Sequence, residues 1–183
     1  MRINWFGLTA GILTLIVLLI SFYVPWWQLI IGDNLFKING SPIYTNFGLM
    51  GSSFTIPLLL ALNISSILMF TVSGIIMLVY SCFPTKSYSL QLLSFSYRKP
   101  LYAVIIFVLS LLIIIAIVGL TGLKIPVVGS SPLTLPSQLT FGIGISISAL
   151  ASASFLLPFW LAIGTSVLCI VARLYHRRIP QLT

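Results

Sequence analysis

The chain has 183 residues, of which 59% are hydrophobic and only 5% are charged, and its formal net charge is +8. Because a soluble domain has about a quarter of its residues charged, this composition excludes a soluble globular protein, a disordered protein and a coiled coil. A single acidic residue, Asp33, and a single histidine, His176, also leave too few groups for most acid–base, carboxylate–metal or haem-ligand chemistry.

Four apolar stretches are each long enough to cross the hydrocarbon layer, which is about 30 Å thick and takes about 20 helical residues. The first stretch is longer than the apolar core of a signal peptide, and no small-residue cleavage pattern follows it, so we interpret it as a retained span. The sequence therefore predicts a membrane all-α bundle, with spans at about 5–25, 57–80, 101–123 and 147–172.

The basic residues set the expected orientation of these spans. One side carries Arg2, Lys86, Arg98, Lys99, Arg173, Arg177 and Arg178, and the other carries Lys37 and Lys124. Because basic loops stay in the cytoplasm, we expect a multi-pass plasma membrane protein with both termini cytoplasmic. The loop 81–100 and the tail 173–183 are then cytoplasmic, and the loops 26–56 and 124–146 lie outside. This juxtamembrane charge favours the lipid bilayer, and not nucleic acid, as the partner of the basic residues.

The first outside loop predicts a small extracellular antiparallel sheet above the bundle. Gly32-Asp33 and Asn39-Gly40 lie between short β-prone runs, and such pairs tolerate the positive φ angles of hairpin turns. We expect three strands, near 27–31, 35–39 and 42–47. Asn39-Gly40-Ser41 is also an N-glycosylation pattern, which makes Asn39 a candidate modification site.

Residues 139–148, which follow the second outside loop, have two interpretations. Large and small residues alternate there with period two, which suits a strand joining the sheet, but the same residues can begin the fourth helix. In a helix, Gly144, Ser148 and Ser152 form a small-xxx-small series that lets helices approach closely, inside the bundle or between copies. Pro158 in the same helix predicts a kink.

This organisation resembles the claudin and peripheral myelin protein group of four-span membrane proteins. In that group the first outside loop forms a small sheet, with a Trp followed later by Gly-Leu-Trp and by two disulfide-bonded cysteines. Here Trp26 and Trp27 stand in place of the first Trp, and Gly48-Leu49-Met50 stands in place of Gly-Leu-Trp. The resemblance implies a claudin-like architecture that makes contacts through its outside sheet, with Trp26, Trp27, Gly48 and Leu49 as interaction residues.

The sequence departs from that group at two points. Met50 replaces the second Trp, and the two cysteines of the chain, Cys82 and Cys169, lie near the predicted cytoplasmic ends of helices. The outside sheet therefore has no cysteine with which to form the disulfide of the group.

The leading functional expectation is a non-enzymatic four-span protein that acts through lateral or surface protein–protein contacts, in a structural or assembly role. We expect no catalytic residue, no cofactor and no metal site, and we expect homo- or hetero-oligomeric membrane protein partners. The alternative is an accessory, non-catalytic subunit of a multisubunit membrane complex such as a respiratory or oxidase complex. The absence of ionisable residues inside the predicted spans disfavours a coupled transporter or an ion pore.

The scarcity of carboxylates on the predicted outside loops suggests a further expectation. Carboxylates titrate near pH 4, and Asp33 is the only one on these loops. Such a surface keeps nearly the same charge in acid and at neutrality, which motivates the hypothesis of an acid-living, archaeal source.

Overall fold

The computed structural model describes residues 3–32, 36–49, 52–54, 57–120, 125–134 and 148–176. These residues form five helices and one six-stranded sheet. In chain order the elements are α1 Trp5–Ile20, β1 Trp27–Ile31, β2 Phe36–Gly40, β3 Thr45–Leu49, β4 Ser52–Phe54, α2 Pro57–Cys82, α3 Ser89–Ser96, α4 Lys99–Leu120, β5 Gly129–Thr134, β6 Ser148–Phe155 and α5 Leu157–His176.

Three helical segments among the described residues are long and apolar enough to cross a membrane: α2, α4 with the preceding α3, and α5. The chain is therefore a membrane-embedded, mostly helical protein with a small antiparallel sheet. α2 and α4 coincide closely with the apolar stretches at 57–80 and 101–123. α3 is a short helix within the predicted loop 81–100, where the sequence analysis expected none.

α1 is shorter than the apolar stretch at 5–25, because its regular hydrogen bonding ends at Ile20. Its first turn is capped by Asn4, whose side chain accepts a hydrogen bond from the Gly7 amide. The amides of Tyr23 and Val24 still donate to the Ile20 carbonyl, at 3.0 and 2.9 Å, so turns continue the helix toward the sheet.

The strands are antiparallel and lie in the order β4-β3-β2-β1-β6-β5. The three predicted strands correspond to β1, β2 and β3, and the structure adds three more. Gly32 has a φ of 62°, as expected for the first turn. The second turn was predicted wrongly: Asn39 and Gly40 lie in β2, and the chain turns at 41–44. Gly40 is buried in β2, and a Cβ at this position would lie 3.7 Å from atoms of both Trp27 and Phe107.

The predicted start of the fourth helix near 147 is wrong, since 148–155 form β6 and α5 begins at Leu157. β6 pairs with β1 on one side and with β5 on the other. Ala151 and Ala153 point into the core, while Ser152 is exposed, so the small residues follow the period-two pattern of a strand. The helical small-xxx-small series is wrong for the same reason. Pro158 lies in the first turn of α5, where proline is tolerated without a kink.

The hydrophobic core has two parts. The larger part lies where the inner face of the sheet meets the helices and includes Trp26, Leu29, Ile38, Phe70 and Phe107. The smaller part lies at the other end of the bundle, among α1, α2, α3 and α5, and consists of Ala10, Met77, Tyr80, Leu93, Cys169 and Ala172. The sheet is thus packed directly on one end of the bundle.

α1 and α2 pack closely through glycines. Gly7 and Gly11 form a G-xxx-G series on α1, and Gly74 faces α1 from α2. A Cβ at Gly74 would lie 2.6 Å from Leu15 Cδ2, and one at Gly11 would lie 3.1 Å from the Leu78 amide nitrogen. The close approach of α1 and α2 therefore requires glycine, which has no side chain, at these positions.

We expect Gly7→Ala to destabilise the protein. The added Cβ would lie 2.5 Å from Ser81 Oγ and 3.0 Å from the Tyr80 ring, and both groups are held by hydrogen bonds. Overpacking of this kind costs about 1–3 kcal/mol. Gly164→Ala on α5 is the matched control, because no atom lies within 4 Å of its Cβ position. Thermal unfolding in detergent should show a lower Tm for Gly7→Ala than for Gly164→Ala; equal values would contradict the close packing.

Candidate functional site

The sheet is joined to the end of α1 through Ser21. The Ser21 hydroxyl donates to the Val17 carbonyl at 2.6 Å and accepts the Trp26 indole N–H at 2.7 Å. The Ser21 carbonyl accepts a hydrogen bond from the Ser41 hydroxyl at 3.0 Å. Ser21, Trp26 and Ser41 are all buried, so this junction fixes β1 and the β2–β3 turn to the helix end.

Trp26 and Trp27 lie in the core of the protein and not on its surface. The Trp26 ring packs edge-on against Phe70, Phe107 and Phe159, with ring centres 5.7, 5.1 and 6.0 Å away. The Trp27 indole donates to the Val127 carbonyl at 2.8 Å and so attaches the segment before β5 to β1. Both residues are 0% exposed. As interaction residues they can act only indirectly, by holding the sheet on the bundle.

The outer face of the sheet, which points away from the helices, carries an uncharged polar row. The strand register places Asn46, Asn39, Gln28 and Ser154 side by side across β3, β2, β1 and β6. The Gln28 side-chain amide donates to Asn39 Oδ1 at 2.9 Å. Asn46 and Ser154 are exposed, and Gln28 and Asn39 are half-buried. We call these four residues the amide row.

A second row on the same face runs beside the amide row. It contains Lys37, Ile30, Ser152 and Ser130 in neighbouring strands. Ser152 and Ser130 are exposed. The residues of these two rows are thus polar except for Ile30, with one basic side chain and no acidic one among them. The exposed Leu150 of β6 adds an apolar side chain to the same face.

The remaining predicted interaction residues fall at different places. Gly48 and Leu49 lie in β3, opposite Lys37 and Phe36 of β2. Ser148 begins β6 opposite Thr134, and Ser152 lies on the outer face. Gly144 is outside the described residues. Asn39 belongs to the amide row, and its glycosylation stays a prediction.

The sequence analysis missed three members of the amide row: Gln28, Asn46 and Ser154. In the β6 sequence SALASASF serine recurs at every second position from Ser152 to Ser154, which marks one polar face of a strand. The β1 sequence WQLII has a single polar residue, Gln28, and shows no such alternation. Their alignment into one row, however, depends on strand pairing between distant parts of the chain, which alternation alone does not specify.

The chemistry available to this surface is recognition. Hydroxyl and carboxamide groups donate and accept hydrogen bonds. Among the described residues no group of three or more His, Cys, Asp or Glu side chains is placed to hold a metal ion. Both cysteines are free, with Cys169 buried and Cys82 exposed.

Comparison with protein-family models and with curated proteins gives no match for this chain. The structure itself defines the class of the protein, which is a membrane-embedded helical protein with an antiparallel sheet packed on one end of its helix bundle.

We expect Trp26→Ala to destabilise the protein strongly. It removes a buried ring from an aromatic cluster and the hydrogen bond to Ser21, and large-to-small core changes of this kind cost about 3–5 kcal/mol. The matched control is Trp160→Ala, because Trp160 is 60% exposed on α5. Thermal unfolding in detergent should give a much larger loss for Trp26→Ala. A similar loss in both variants would contradict the role of Trp26 in joining sheet and bundle.

Proposed function

We propose that this chain is a non-enzymatic membrane protein that acts through lateral or surface protein–protein contacts made by the outer face of its sheet. The observation that supports this proposal is the amide row, an ordered set of uncharged polar side chains on a sheet fixed to the bundle. A partner protein with carboxamide, hydroxyl or backbone groups can match such a row without bringing an opposite charge.

The rigidity of the platform also supports a contact role. The buried rings of Trp26 and Trp27 pack between β1 and the helices. The hydrogen bond from the Trp26 indole to the Ser21 hydroxyl connects the start of β1 to α1, and the Trp27 indole bonds the Val127 carbonyl. A preorganised surface loses little conformational freedom on binding, and so keeps more of its interaction free energy. A contact surface on rigid strands therefore binds more tightly than a flexible surface that makes the same contacts.

The proposed architecture is claudin-like, with four spans and both termini in the cytoplasm of a plasma membrane protein. α1 with the turns that continue to Val24 covers 5–24, which at about 1.5 Å per residue approaches the hydrocarbon thickness. Large apolar side chains on this segment are exposed, among them Trp5, Ile12, Leu19 and Phe22, as lipid contact requires. The sheet then faces outward, away from the basic loop and tail.

We expect photo-crosslinking to locate protein partners at the outer face. A photoreactive benzoylphenylalanine replaces Ser154 on the outer face in one variant, and Leu68, which is 59% exposed on α2, in the control. In native membranes the Ser154 position should form adducts with protein, either a second copy or another membrane protein, whereas the Leu68 position should label lipid.

Each other outcome has a defined meaning. A monomer without protein adducts at Ser154, and without partners after mild solubilisation, contradicts the proposal. Co-purification with haem, copper or iron–sulfur subunits would favour the accessory-subunit alternative instead. Adding a charge by Ser154→Asp should weaken a contact detected from Asn46, because the partner surface must then desolvate an unpaired carboxylate.

We expect the association to be independent of pH between about 5 and 8. Carboxylates titrate below this range and lysine and tyrosine above it, and the described outer face contains no histidine. Burial raises the pKa of Tyr44 in the β2–β3 turn, so this phenol also stays neutral there. Crosslinking yield measured across the range checks this expectation, and a steep change would indicate a contact made by other groups.

A further inference from the structure

Four buried polar side-chain atoms have no hydrogen-bond partner in the described part of the chain. Two of them, Asn63 Nδ2 and Ser66 Oγ, lie on α2. The other two, Arg173 Nη1 and His176 Nε2, lie about one helical turn apart on α5, at the end of the bundle remote from the sheet. Residues three apart share a helix face, so the side chains of Arg173 and His176 start from the same side of α5.

His176 is held in place by a chain of hydrogen bonds that joins three helices. Asn4 Nδ2 lies 2.6 Å from the Tyr80 hydroxyl, which in turn lies 2.9 Å from His176 Nδ1. Asn4 and Tyr80 are fully buried, and His176 is 2% exposed. The imidazole is therefore fixed by α1 and α2, with Nε2 directed away from Tyr80.

The hydrogen bonds around Tyr80 favour one tautomer of the neutral imidazole. Asn4 Oδ1 accepts the Gly7 amide at 3.1 Å, so Asn4 Nδ2 is the atom that faces Tyr80 and donates to it. The Tyr80 oxygen accepts that bond, and its own proton is free to be donated to His176 Nδ1. A neutral imidazole that accepts at Nδ1 carries its proton on Nε2. His176 thus presents an N–H donor without an acceptor.

Arg173 supplies the second donor and a positive charge. Its guanidinium carbon lies 5.6 Å from the centre of the Tyr97 ring, and Nη1 is buried without an acceptor. Arg173 itself is half-buried, so its Nη1 atom has lost contact with water without gaining an acceptor, which is costly. The one acidic side chain of the protein, Asp33, lies between β1 and β2 in the sequence, far along the chain from this end. The described residues therefore leave the acceptor to another molecule.

We propose that Arg173 and His176 bind a phosphate group at this end of the bundle. Phosphate oxygens accept bonds from guanidinium and imidazole N–H groups together, and arginine suits phosphate because it is both charged and a multiple donor. The pair lies at the end of an apolar helix, the depth at which phospholipid headgroups meet the hydrocarbon. A phospholipid headgroup and free phosphate share this chemistry, and neither depends on the contact role of the sheet.

The test is native mass spectrometry of the full chain, purified in mild detergent and stripped of lipid. The probes are phosphatidylglycerol, diacylglycerol with the same acyl chains, and inorganic phosphate. We expect a phosphate-bearing probe to bind and diacylglycerol not to. Arg173→Gln should weaken that binding by about tenfold or more, since it removes the charged donor. Lys86→Gln is the matched control, because it removes an exposed charge from the same end of the bundle and should leave binding unchanged.

His176→Asn is the second variant, for the case that Arg173→Gln does not fold. It retains a polar group near Tyr80 but removes the Nε2 donor, and it should weaken the same binding. Binding of phosphatidylglycerol alone supports a lipid headgroup site, and binding of inorganic phosphate supports a site for free phosphate. Absence of binding by both, or equal binding by Arg173→Gln, His176→Asn and Lys86→Gln, overturns the proposal.

Discussion

The hydrogen bonds at Ser21 are the interaction on which the rest of the structure depends. A helix whose end is buried must satisfy its last carbonyl groups within the protein, because water cannot reach them, and Ser21 at the end of α1 is buried. The Ser21 hydroxyl donates to the Val17 carbonyl, and the partners of Ser21, Trp26 and Ser41, lie directly before β1 and directly after β2. The same bonds that complete α1 therefore set the position of β1 on the bundle, and through strand pairing the position of all other strands.

The long apolar helices of this fold were predictable, whereas the second hairpin turn, the short helix α3 and the pairing of distant strands were not. Length and apolarity are properties of one segment, so α2 and α4 follow directly from the sequence. β6 was predicted as part of the fourth helix because its small residues suit a helix interface as well as a strand, and its partner β1 lies far away in the chain. Small-xxx-small packing was predicted for the segment that forms β6, whereas in the structure Gly7, Gly11 and Gly74 allow the close packing of α1 and α2.

The candidate sites likewise depend on contacts between distant parts of the chain, which the sequence does not show. Adjacent tryptophans after an apolar helix are typical of a membrane-interface belt, yet Trp26 and Trp27 are buried because β1 turns them under the sheet. The amide row requires the register of four strands before its members can be recognised. His176 is the only histidine of the sequence, and its spacing to other residues predicts no site. Its burial and its hydrogen bond to Tyr80 fix the orientation of the imidazole, which the sequence does not show.

The edge strand β5 has a consequence for how copies of this protein can associate. Among the described strands β5 is paired only with β6, and it contains Pro132, opposite Leu150. Proline has no amide hydrogen, so a ladder of backbone bonds along this strand is interrupted there. Edges protected in this way resist the strand-by-strand stacking that leads to amyloid. Open-ended stacking of copies is therefore disfavoured at this edge.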